Sequence, residues 1–321
     1  MNSKEICDYC DEEYSDEIIE NKIDNKLVND DSVIINQSKI FSIIFPSVNN
    51  YYFAKWDQLV PDNKLILKRF LSNPDWNDFF DFVSKKNYYE NIEKTLSKSL
   101  ENNKKIVPYP EFLLSSFNLI SPNDIRVVII GQDPYPGSYI HNKKSIPYAT
   151  GLSFSVPIGS KIPTSLQNIE KNLRKFNHIS KKYNCDCLSG WAIQGCFMIN
   201  SSLTTIATQK KAHSNIWKYF THDLIYYLDK YYNNIAFIVW GADAHRICQS
   251  IDIKKHYIST SSHPSSLSCS KTFMGKEYGQ IKNEQDRKKV KYNSFESVDH
   301  FGNVNKYLAS TNSPQIIWDL I

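Results

Sequence analysis

The sequence predicts an α/β fold, with a central, mostly parallel four-stranded sheet flanked by helices on both faces. Four short apolar runs, at 125–130, 196–199, 235–240 and 256–260, read as buried strands, because strands covered on both faces are continuously rather than alternately apolar. Helical patterns lie between them, and strands alternating with helices build parallel sheets. No internal repeat interrupts this order.

The chain of 321 residues is 41% hydrophobic, enough for a full core. No stretch approaches ~20 apolar residues and the first thirty are too acidic for a signal segment, so a soluble protein is expected. Seven cysteines form no regular framework; an intracellular, reducing compartment, nuclear or cytoplasmic, follows. Cys7-x-x-Cys10 and Cys185-x-Cys187 are too few and too poorly spaced for a metal site without further ligands, so no metal is expected. Residues 1–31 carry eleven acids against three lysines, leaving 35 basic and 23 acidic side chains on the rest, a balance of +12. A basic body suits a polyanionic partner, although diffuse charge alone selects none.

Residues 1–35, rich in Asn and Asp and poor in aromatics, predict an acidic, disordered tail. Residues 36–72 are aromatic enough to pack as an N-terminal extension on the domain that fills 73–321. That domain opens with Asn73 as N-cap, Pro74 at the first helical position, and Trp76, Phe79, Phe80 and Val83 at helical spacing. The run at 125–130 is the first strand. Thr164 or Ser165 then opens a helix with Leu166, Ile169, Leu173 and Phe176 on one face; Ser214 opens another with Trp217, Phe220, Leu224 and Leu228. Stretches at about 138–150 and 276–298, the second containing Arg287-Lys288-Lys289, read as inserted surface loops.

Chemistry concentrates where strands end. Gly131-Gln132-Asp133-Pro134-Tyr135-Pro136-Gly137 follows the first strand, Asn200 the second, and His263-Pro264-Ser265-Ser266-Leu267-Ser268 the fourth. An Asp-Pro turn or a lone histidine alone is most simply structural. Three polar sites at strand ends, however, can converge at one sheet edge, where open α/β sheets bind ligands.

In these residues the chain resembles the family-1 uracil-DNA glycosylases. Gln132-Asp133-Pro134-Tyr135 is similar to their water-activating loop, 151–156 (Gly-Leu-Ser-Phe-Ser-Val) to their uracil-stacking segment, and 162–166 (Ile-Pro-Thr-Ser-Leu) to their proline-rich backbone-contacting loop. Asn200 falls on the uracil-reading asparagine, and 263–268 on the loop bearing the catalytic histidine and a leucine wedge. The similarity runs from about Trp76 to Trp318.

The resemblance implies a cofactor-free, monofunctional hydrolase that releases uracil from DNA in base excision repair. Breaking the sugar–base bond builds positive charge on the sugar and negative charge on the base, so a carboxylate and a donor at the base oxygen lower the barrier. Asp133 would steady the sugar and orient or deprotonate the attacking water. His263, as neutral imidazole, would donate to uracil O2. Asn200 would pair with N3–H and O4, Tyr135 would occupy the space beside C5, and Phe154 would stack on the ring, with Gln132 in the same substrate loop. Because the base must leave the stack, Leu267 is the natural wedge, and Ser165, Ser265 and His213 would hold phosphates.

Three departures bear on DNA affinity: Pro136 where many relatives have histidine, Ser266 for a proline, which predicts a looser wedge loop, and Gly241-Ala242 for a Gly-Ser pair. The expected partner is uracil-containing DNA, single- or double-stranded, with replication or repair proteins as further candidates, no membrane, and a monomeric state. Two rivals stand beside this reading. A zinc-dependent cytosine deaminase would need His-x-Glu and Pro-Cys-x-x-Cys, neither of which occurs. A glycosylase-fold DNA-binding module acting in a replication complex is the other.

Overall fold

The central sheet is built from the four apolar runs. β1 (Val127–Gly131) is followed in the chain by a hairpin of β2 (Ser138–His141) and β3 (Lys144–Pro147), then by the sheet strands β4 (Cys196–Asn200), β5 (Ala236–Trp240) and β6 (Tyr257–Ser261). The computed structural model describes residues 42–180, 185–280 and 284–319; the acidic segment 1–35 and the Cys7/Cys10 pair lie outside them.

The sheet order is β4-β1-β5-β6 and every pairing is parallel. All residues of β1, β4 and β5 are buried, which requires cover on both faces. β4 starts on the first residue of its apolar run, and the other three strands start one or two residues into theirs. Because β1 has β4 on one side and β5 on the other, the chain changes winding direction between β1 and β5, and a crevice opens there at the carboxyl ends of the strands.

The covering helices follow the apolar spacing. Asn73 Oδ1 accepts from the Asp75 backbone N–H at 3.2 Å, capping a 3-10 turn at Pro74–Trp76. That turn leads into α1 (Asn77–Ser84), with Phe79, Phe80 and Val83 buried, and α2 (Asn87–Glu101) follows. α3 (Thr164–Lys175) buries Leu166, Ile169 and Leu173, and α4 (Ser214–Tyr231) buries Trp217, Phe220, Leu224 and Leu228. Neither Thr164 nor Ser165 caps α3: Pro163 holds the N-cap position, its fixed φ leading into the helix without a side-chain acceptor. α5 (Gly241–Cys248) starts directly from β5, and α6 (His300–Ser310) is capped by Asp299, which accepts from the Gly302 N–H at 2.9 Å.

Residues 42–72 lay Trp56, Val60, Leu65 and Leu67 into the main core. The Trp56 indole N–H donates to the carbonyls of Ile106 (3.1 Å) and Pro108 (3.0 Å). No helix among the described residues is long and apolar enough to cross a membrane.

Two stretches read as surface loops carry antiparallel strand pairs among their described residues. In 138–150, β2 and β3 pair antiparallel across Asn142-Lys143, both at positive φ (47° and 63°), the conformation a two-residue hairpin turn demands. The hairpin is pinned because Ile146 packs with Val48, Tyr51 and Phe112. In the second stretch, β7 (Phe273–Lys276) pairs with β8 (Lys289–Tyr292), with 281–283 outside the described residues. Arg287, read there as part of a basic surface run, is buried. Its guanidinium Nη1 donates to the carbonyls of Gln249, Glu277 and Gly279 at 3.2, 3.0 and 2.8 Å, so it ties β7 and its following segment to the end of α5.

Candidate active site

A cleft of about 390 Å³ opens at the carboxyl edge of the sheet, lined by Gln132, Asp133, Tyr135, Phe154, Asn200 and His263, with Ser165, Ser265 and Leu267 at the same opening. Nine of the ten site residues expected from sequence therefore share one cavity. The exception is His213, which is buried against Thr204, its Nδ1 2.9 Å from Thr204 Oγ1. Burial pulls its imidazole down to about 4. A buried neutral ring cannot reach a phosphate, and Lys210, three residues earlier, is the side chain that lines the cleft.

Asn200 closes β4 opposite Gly131, the last residue of β1. A side chain at Gly131 would overlap Asn200 Oδ1, so the glycine lets the amide lie against the neighbouring strand. No hydrogen bond within the described residues engages that amide. The residue is only 6% exposed and what it exposes lines the cleft, leaving its donor and acceptor for a ligand edge.

Asp133 follows β1 in a loop tied to β4: Ser202 N and Ser201 Oγ donate to the Gln132 carbonyl at 3.0 and 2.6 Å. Its Oδ2 accepts from the backbone N–H of Lys211 at 3.0 Å. Burial raises the Asp133 carboxyl above its ordinary range, while that N–H and the charges of Lys211 and Lys210 pull it back. Asp243, at the start of α5, holds the arrangement together, accepting from Gln132 Nε2 and Arg246 and pairing with Lys211 Nζ at 3.2 Å. Burial alone would raise its carboxyl, but the two cations and the Gln132 amide bring it below its usual range. Asp243 and Lys211 were missed from sequence; the only signal was their place beside matched loops.

His263 follows β6. Its Nδ1 accepts from the Ser265 backbone N–H at 3.0 Å, so in the neutral ring the proton sits on Nε2, which is left as a donor. Burial brings the imidazole down to about 4, Asp243 opposing and Lys211 reinforcing the shift; the ring is therefore neutral at pH 7. Gly241 sits at φ +85°, and a Cβ there would stand 2.8 Å from His263 Cβ, so only glycine lets the end of β5 approach the histidine. Asn168 on α3 donates to the Pro264 carbonyl at 2.8 Å, anchoring the loop from the opposite side.

Phe154 is held at φ +65°, an uncommon conformation for a bulky residue. Its ring lies edge-on to Trp240 (5.3 Å) and tilted to His263 (5.9 Å), one face of a slot. The Tyr135 ring packs edge-on against Tyr148 at 6.4 Å. Leu267 is 80% exposed. Around Ser266 the loop that carries it is crossed by hydrogen bonds: the Ser265 and Ser268 hydroxyls meet at 2.8 Å, Ser268 Oγ donates to the His263 carbonyl at 3.0 Å, and Ser262 Oγ donates to the Ser268 carbonyl at 2.9 Å.

Among the described residues no three His, Cys, Asp or Glu side chains gather as metal ligands, and Cys185 and Cys187 are buried. The arrangement joins a hydrogen-bonded carboxylate, a neutral imidazole donor, an unengaged amide and an aromatic wall, the parts needed to hold a planar heterocycle and stabilise charge separation at its bond.

Comparison with known proteins places this chemistry in a family. The model of the uracil DNA glycosylase superfamily matches residues 117–290. A probable uracil-DNA glycosylase of Acanthamoeba polyphaga mimivirus is 47% identical over 289 residues, 90% of this chain and 76% of its own length. The chain belongs to the uracil-DNA glycosylase superfamily. A uracil-DNA glycosylase of Buchnera aphidicola is 38% identical over 251 residues, 77% of this chain and 98% of its own. The crystal structure of mimivirus uracil-DNA glycosylase superposes with a TM-score of 0.82 at 48% identity, covering 88% of this chain and 99% of that one; a variant of it in complex with UGI superposes equally well. The parallel sheet with flanking helices is thus the glycosylase fold.

Proposed function

We infer that this protein is a uracil-DNA glycosylase: it hydrolyses the N-glycosidic bond of a flipped-out deoxyuridine, releasing uracil and leaving an abasic site. One observation carries the reading: Asp133, Asn200 and His263, from three different strand ends, line one cleft. Asp133 faces the sugar, where its negative charge offsets the developing oxocarbenium ion and positions the water. His263 donates Nε2–H to the base oxygen that gathers charge, and a neutral donor suits a leaving uracil anion better than a cation that would hand over its proton early. Asn200 reads N3–H and O4, a pattern cytosine reverses at both positions. Phe154 stacks on the ring. The reaction needs DNA, which the basic body suits, in the reducing intracellular setting its cysteines fit.

Release of free uracil from a synthetic strand bearing one deoxyuridine tests the reading; a purified, folded protein that releases none would sink it. Two variants sharpen the test. Tyr135→Ala opens the space beside C5, and thymine release, undetectable in the parent, should appear; a variant that still rejects thymine would remove Tyr135 from that role. The truncation also costs roughly 3–5 kcal/mol of core stability, so it is assayed well below its melting temperature. Leu267→Ala removes the wedge, and because flipping from duplex costs a few kcal/mol, kcat/KM should fall about tenfold or more on duplex and much less on single strands. Equal losses would refute the wedge.

A further inference from the structure

A second cavity, about 770 Å³ and so larger than the catalytic cleft, lies on the other side of a ridge from it. The ridge is Pro136, which lines both cavities, tied to Thr208 by the Thr208 N–H donating to the Pro136 carbonyl at 2.7 Å. The segment carrying Thr208 continues to Lys210 in the catalytic cleft and to Lys211, whose N–H binds Asp133. The two cavities therefore share a wall made from the catalytic loop itself.

Four lysines, Lys55, Lys104, Lys105 and Lys144, line this second cavity against one acid, Asp57. All four are exposed, and none forms an ion pair among the described residues. Lys144 Nζ stands 4.5 Å from the ring centroid of the exposed Tyr52, a contact that leaves its charge uncompensated. The half-buried rings of Phe53 and Tyr109 line the same cavity. Much of the wall comes from residues 51–109, outside the 117–290 covered by the family match, and the rest includes the β2–β3 hairpin. Unpaired cations and aromatic rings in one cavity are what a single nucleic-acid strand needs: charge for the phosphates and π-surfaces for unstacked bases.

We propose that this cavity is an accessory single-strand binding groove, which takes the nucleotides flanking the one in the catalytic cleft as the strand crosses the Pro136–Thr208 ridge. The proposal rests on the glycosylase reading for its substrate. Contacts here act on binding and leave the chemistry alone.

The test uses the full chain and labelled single strands carrying a deoxyuridine analogue that resists hydrolysis, at lengths of about 5 and about 20 nucleotides, near the lower limit of and above the ~4–16 nucleotides such folds engage. The variant is Lys104→Ala/Lys105→Ala/Lys144→Ala, whose surface positions leave thermal unfolding unchanged. Its affinity for the long strand should fall at least about tenfold at low salt, and the slope of log K against log salt should flatten by about 2, near 0.7 per lost phosphate contact. Affinity for the short strand, and kcat on a cleavable short strand, should match the parent. Unchanged long-strand affinity and slope would overturn the proposal, and so would equal losses at both lengths, which would place the lysines' influence at the catalytic cleft. The binding arm uses an uncleavable strand, so it reads the groove even if the parent releases no uracil, the result that would instead defeat the glycosylase reading.

Discussion

Asp133→Asn should leave the protein folded and DNA-binding while reducing uracil release by roughly 10³-fold, within the ~10²–10⁴-fold range for a positioned acid–base group. The amide keeps an oxygen for the Lys211 N–H bond but loses the charge that balances the sugar cation. It also relieves the burial that raises the carboxyl, so stability should hold or rise slightly. Single-turnover rates beside binding constants check this. A variant that loses binding and rate in the same proportion would assign Asp133 to substrate affinity instead.

His263→Ala should cost about 10²–10³-fold in kcat, the usual worth of one donor aimed at a developing oxyanion. The pH profile of the parent is the more discriminating result. With the imidazole brought down to about 4, its neutral form dominates from the alkaline side to well below pH 6. Asp133, raised above the usual carboxylate range, must stay ionised. Both requirements fail as pH falls and neither fails as it rises toward 8, so kcat/KM should show an acid limb and no histidine step near 6.5. In His263→Ala the acid limb set by Asp133 should persist. A parent profile that drops between pH 7 and 6, with the drop abolished in His263→Ala, would mean the ring titrates normally and the buried-neutral assignment is wrong.

What could be read in the sequence followed from how local each signal is. The sheet was legible because β1, β4 and β5 are buried along their whole length, and full burial writes a continuous apolar run. Asp133, Asn200 and His263 were legible because they sit at or just beyond the ends of those runs, whereas Phe154 and Ser165 stand well away from them and came only from the family resemblance. The hairpins were not: Ser138–His141 alternates only weakly and turns at Asn142-Lys143 without glycine, so a hairpin looks like a loop. Arg287 in Arg-Lys-Lys looks like surface charge, and only the three carbonyls around it identify it as buried. His213 was misplaced for the converse reason, since a histidine beside a matched loop carries no sign of which way it points. The Asp243 bridge joins residues 111 and 32 positions away, a contact that exists only once β1 and β5 are paired.

The central claim is that the carboxylate after β1 and the imidazole after β6 act on one extruded nucleotide. A crystal structure with DNA bearing an uncleavable deoxyuridine analogue tests it most directly. The account predicts the base in the cleft, with Asp133 on the sugar side, His263 Nε2 within hydrogen-bonding distance of O2, and Asn200 on the N3–O4 edge. A base seated elsewhere, or one touched by only one of Asp133 and His263, would contradict it.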